Sequence, residues 1–147
     1  MAGDDAFGPL VADHLRTRTH VDADVLDLGM KPLALLNHLA GRSALIVVDA
    51  ALPGGDFPSG RLIDLEYSRR ACPQLLHDAS LSSHGLSLAD ELELAREVEM
   101  LPEQVFVVAA AISNAIIGQP PSDQIRRLVQ PAAERINQLA EHCLARR

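Results

Sequence analysis

Two uninterrupted apolar runs constrain this chain most: ALIVV at 44–48 and QVFVVAAA at 104–111. A strand with one wet face alternates polar and apolar residues. A run with no polar break fits a strand covered on both faces, as in a parallel sheet sandwiched between helices. Helical periods lie between and around these runs. Phe7, Leu10, Val11 and Leu15 recur at helical spacing, with Pro9 suited to the opening turn and Asp4 or Asp5 placed to cap it. PLALLNHLA (32–40) reads as a helix that stops at Gly41. Ser87 with Asp90 resembles a capping box opening a helix over 88–100, which Pro102 breaks. A last helix spans 122–144, with Pro131 expected to kink or split it. ADVLDL (23–28) reads as a further short strand ending at Gly29. RLIDLEY (61–67) alternates like a more exposed strand, and PGGDFPSG before it is turn chemistry. Residues 68–86 carry no clear period, and SLSSHG reads as loop.

The pattern predicts an α/β fold: a three-layer α/β/α sandwich around a mostly parallel sheet, with one more exposed, antiparallel strand. At 147 residues the whole chain, 1–147, is expected to form one domain. With three Phe, one Tyr and no Trp, Leu, Val, Ile and Ala must build the core. No apolar run approaches the roughly 20 residues of a membrane span, and no basic segment leads into an apolar signal, so a cytoplasmic protein is expected. A net charge of −7 argues against nucleic acid as partner. Cys72 and Cys143 form no C-x-x-C and read as buried or idle thiols rather than a disulfide or zinc clasp.

Right-handed crossovers gather strand C-termini on one rim, where open α/β sheets bind ligands. Three polar residues are expected there. Asp5 precedes the first helix, Asp49 ends a buried strand, and His84 lies in a glycine-flanked loop before a helix. Two carboxylates and an imidazole suit borderline divalent metals such as nickel or zinc, without the thiolates of a structural zinc site. The plainer readings are that an acid at position 4 or 5 caps the helix, that Asp49 bonds backbone amides, and that His84 is structural. An acid ending so apolar a strand is costly without a partner, which favours a site. His14, His38 and His142 read as helix-face residues, and His20 and His77 have no evident partner. A helix beginning at this rim should follow a strand. None precedes Asp4-Asp5, so an upstream strand is expected to be missing.

GDDAFG (3–8), ALIVVDAA (44–51) and SLSSHGLSLADELELA (80–95) resemble, in order and spacing, the hydrogenase maturation proteases. The closing QPPSDQIRRLVQPAAERI is similar too. The resemblance implies an endopeptidase that removes the C-terminal extension of a nickel-loaded hydrogenase large-subunit precursor, cutting after a His or Arg beyond its last cysteine pair. It also implies that Asp5, Asp49 and His84 bind a metal ion, nickel carried by the precursor rather than a resident cofactor, although zinc could fill the same site. No serine, cysteine or zinc-protease motif is visible, and Ser82 or Ser83 beside His84 is not by itself a dyad. Members of the family begin with an apolar strand ending in a glycine-asparagine pair, which this chain lacks. MAGDDAFG therefore reads as the loop after that strand. ISNAIIGQ (112–119) replaces a loop that contains proline in relatives. One alternative is a truncated, non-catalytic relative that binds nickel or the precursor. A receiver-type phosphoacceptor is another, but it needs a lysine after its last strand, and the only lysine, Lys31, comes far too early.

Overall fold

The structure, a computed structural model, describes residues 3–18, 22–29, 31, 33–51, 58–67, 87–112 and 116–146. A 3-10 turn over Gly3–Ala6 leads directly into helix α1, Phe7–Arg18. Strand β1 spans Ala44–Ala51, β2 Leu62–Tyr67 and β3 Gln104–Ala111. Helix α2 covers Leu88–Glu97 and α3 Asp123–Ala145. The strand order is β1-β3-β2. β1 runs parallel to β3 with Asp49 beside Ala109 and Ala51 beside Ala111. β2 runs antiparallel to β3, from Leu62 against Ala110 to Tyr67 against Val105. The described sheet is therefore mixed, with one parallel and one antiparallel pairing.

The unbroken apolar run of β3 is explained by its place in the middle. Val105, Val107, Ala109 and Ala111 join a core with Leu35, Leu39, Ala89, Leu92 and Ala95 on one face. Phe106, Val108 and Ala110 join a second core with Phe7, Val11 and Leu15 of α1 and Ile125, Ala132, Ile136 and Leu139 of α3. Each fully buried valine contributes roughly 1.5–3 kcal/mol by leaving water. The three layers are thus α1 and α3, the sheet, and α2 with a 3-10 turn over Ala34–His38.

Local chemistry sets several ends. Ser87 and Asp90 form the capping box of α2, each side chain accepting from the other's backbone N–H. Ser122 caps α3 by accepting from the Ile125 amide at 3.3 Å. Gly41 adopts φ 73°. Gly60, at φ 78°, turns the chain into β2 where any Cβ would overlap the Gln124 side chain, 1.8 Å away.

Four expectations are corrected. Residues 23–28 form no strand. A strand needs a neighbour's N–H and C=O groups, and no described residue supplies them. Val25 nevertheless packs into the α1/α3 core and Leu28 into the other, the two-sided alternation of an extended segment. The helix expected over 32–40 is only the short 3-10 turn, because Leu33 stands in the left-handed region at φ 61° and so few residues cannot sustain an α-helix. Asp49 does not end its strand, since β1 continues through Ala50 and Ala51, paired with Ala110 and Ala111. Pro131 neither breaks nor divides α3, because it lies on the exposed side, where water can satisfy the carbonyl that loses its helical partner.

Candidate metal centre

The 3-10 turn carrying Asp4 and Asp5 sits against the C-terminal half of β1. Its position is fixed by two bonds to the segment entering α3. Gly3 N–H donates to the Gln119 carbonyl at 3.0 Å, and the Ser122 amide donates to Asp4 Oδ1 at 2.8 Å. Asp4 is only 1 % exposed, whereas Asp5, the next residue, is on the surface. Asp4 therefore does not cap α1. It binds the N-terminal end of α3, where a helix dipole favours negative charge. At Gly8, in the first turn of α1, an added Cβ would come within 3.3 Å of the Val48 carbonyl. The missing side chain lets α1 press onto β1 one residue before Asp49.

Asp49 is half-buried, and its Oδ1 accepts from the Ala50 amide at 2.8 Å. Burial pushes its carboxyl up to about 6; the Ala50 bond pulls the other way, and the negative charge of Asp5 adds to the rise. Asp5, 44 positions earlier in sequence, thus lies within electrostatic reach of Asp49, its charge the smallest of the three effects. A pair of carboxylates at the C-terminal rim of a parallel strand pair is a place where a divalent cation relieves both repulsion and desolvation.

His84 lies outside the described residues, as do His20, His77, Cys72, Ser82 and Ser83. Among the described residues no group of three His, Cys, Asp or Glu side chains is placed to hold a metal ion. His38 is exposed. His142 meets Phe106 edge to face, with centroids 6.4 Å apart. Cys143 is a buried free thiol, raised by burial. An open cleft of about 620 Å³ lies between residues 39–43, residues 99–104 and Arg146. It opens at the N-terminal ends of β1 and β3, the opposite end of the sheet from the acid pair.

The tether of Asp4 to Ser122 and the close approach at Gly8 were not legible beforehand. Both depend on contacts between segments far apart in sequence. The one available signal was the acid pair itself, in which two adjacent acids leading into a helix need not share one role.

No helix among the described residues is long and apolar enough to cross a membrane. No curated protein sequence matches the chain. Solved structures do. The HycI hydrogenase maturation protease of Thermococcus kodakarensis KOD1 shares 24 % identity over 95 % of this chain and 85 % of its own, with a TM-score of 0.71. HybD, a hydrogenase-maturating endopeptidase of E. coli, shares 22 % over 92 % and 82 %, with a TM-score of 0.70. An Escherichia coli endopeptidase solved in solution shares 23 % over 97 % and 86 %, with a TM-score of 0.79. At such identities the likeness establishes the fold. The HycI family model, described as hydrogenase maturation protease, matches residues 9–140, a stretch that includes Asp49 and His84 and begins four positions after Asp5. With that match over most of its length, the chain belongs to the hydrogenase maturation protease family.

Proposed function

We propose that this chain is an endopeptidase that removes the C-terminal extension of a nickel-loaded hydrogenase large-subunit precursor in the cytoplasm. Family membership supports peptidase chemistry on such a precursor. The observation that carries the site is the charge of Asp5 acting on half-buried Asp49 at the sheet rim. Two crowded carboxylates fit a borderline divalent ion, and His84 would add the nitrogen donor that nickel or zinc favours. In this reading the ion is cargo of the precursor, not a resident cofactor. Asp49 must lose its proton to bind it, and the Ala50 amide holds one carboxylate oxygen in place. The ion positions the precursor, and hydrolysis of the peptide bond consumes one water.

The open side of β1 belongs to the same reading. β1 is apolar on both faces, yet only β3 pairs with it among the described residues. A further apolar strand is proposed to pair there.

The test is incubation of the purified chain with nickel-loaded precursor. A mobility shift to the trimmed form is expected, and Asp49→Ala or His84→Ala should abolish it while leaving the far-UV spectrum unchanged. Binding without trimming would favour a non-catalytic relative. Normal trimming by both variants would remove the site assignment.

A further inference from the structure

Ile117 is 88 % exposed, far more than the other surface-facing large apolar residues such as Leu26 and Val98, each 49 % exposed. Its neighbour Ile116 is also more than half exposed. Isolated apolar residues on a surface are ordinary. What distinguishes this pair is where the chain holds it. Ile116 and Ile117 lie in the turn that follows β3, whose C-terminal end forms the rim beside Asp49. The Gln119 amide donates back to the Ile116 carbonyl at 3.3 Å, and Gly118, at φ 90°, turns the backbone so that Ile117 sits at the tip. The carbonyl of Gln119 in turn accepts from Gly3, two residues before Asp5. The apolar tip and the acid are therefore fastened to one hydrogen-bonded frame.

We propose that Ile117 is a docking residue for the precursor polypeptide, receiving an apolar side chain of the protein that delivers the cation to Asp5 and Asp49. This rests on the function proposed above. Two carboxylates attract any divalent ion and cannot tell one carrier from another. An apolar contact on the same hydrogen-bonded frame adds the selectivity for a polypeptide that a charge pair lacks. Burying an isoleucine against a partner is worth about a tenfold change in affinity or more.

The test measures precursor binding and trimming separately, using the full chain with Ile117→Ser, Ile117→Leu, and Val98→Ser as an exposed apolar control at the other end of the sheet. Ile117→Ser should raise Kd and KM for nickel-loaded precursor about tenfold, with kcat changed less than twofold. Ile117→Leu should restore both, and Val98→Ser should alter neither. Binding of Ni²⁺ alone should be the same in all four proteins. Kd and KM within twofold of the parent for Ile117→Ser would overturn the proposal, as would weakened Ni²⁺ binding, which would make Ile117 a support of the acids instead. If the parent binds precursor without trimming it, a Kd raised by Ile117→Ser still supports docking while the peptidase reading falls. If the parent does not bind precursor, both fall.

Discussion

The Asp4 carboxylate accepts the Ser122 amide at 2.8 Å, joining the start of the described chain to the cap of its last helix across 118 positions. Ser122 has two roles at once. Its hydroxyl accepts from Ile125 to begin α3, and its own N–H is taken up by Asp4. Asp4 Oδ2 is buried without a hydrogen-bond partner among the described residues, so the bond to Oδ1 is what offsets the cost of enclosing this side chain. Two adjacent acids thus divide the work: Asp4 fastens the turn, and Asp5 presents charge beside Asp49.

Asp4→Ala should lower unfolding free energy by about 1–3 kcal/mol in urea titrations, because it strands the Ser122 amide in a part-buried position. Asp4→Asn keeps an acceptor oxygen and should lose less. If the turn holds Asp5 in place, Asp4→Ala also weakens Ni²⁺ binding, whereas an equal loss of stability from Ser87→Ala at the cap of α2 does not. Identical stabilities for Asp4→Ala and the parent would show that the bond is not formed in solution.

Asp49→Asn should stabilise the protein above pH 7. The folded carboxyl titrates near 6 against an ordinary value of 3.8, so the folded state holds its proton more tightly than the unfolded chain. The parent therefore loses stability as pH rises from about 4 through 6, reaching a deficit of about 2–3 kcal/mol. Melting curves of parent and variant should separate across that window and converge below it. Ni²⁺ affinity of the parent should fall in the same range as acid reprotonates Asp49. A difference in Tm independent of pH would refute this account.

A short apolar strand-forming peptide added in trans should raise Tm by several degrees, since among the described residues only β3 pairs with β1. Amide exchange should slow along β1. Unchanged exchange in β1 would mean that its open side is already satisfied.

Much of the frame was readable because it is local or periodic. The run Val105–Ala111 declared a strand covered on both faces, and the structure puts it at the centre of the described sheet with a core on each side. Ser87 and Asp90 announced a helix start through side chains that each accept from the other's backbone amide three residues away. Segment 23–28 misled because a strand is made by its neighbour, and alternation says nothing about whether the neighbour is there. Pro131 misled because its cost depends on which side of α3 it occupies, and that is set by packing. Of the site, the pairing of Asp5 with Asp49 followed from placing each at the same sheet rim. The Asp4 tether did not, because nothing within a few residues of Asp4 hints at Ser122.

The fastening of Gly3 and Asp4 to Gln119 and Ser122 also fixes when the rim can exist during synthesis. A nascent chain that has not yet reached residue 122 carries both acids but lacks the partners that hold their turn. In such a fragment Asp5 is not held near Asp49. The turn is held only once residues 119–122 have been made and folded against it.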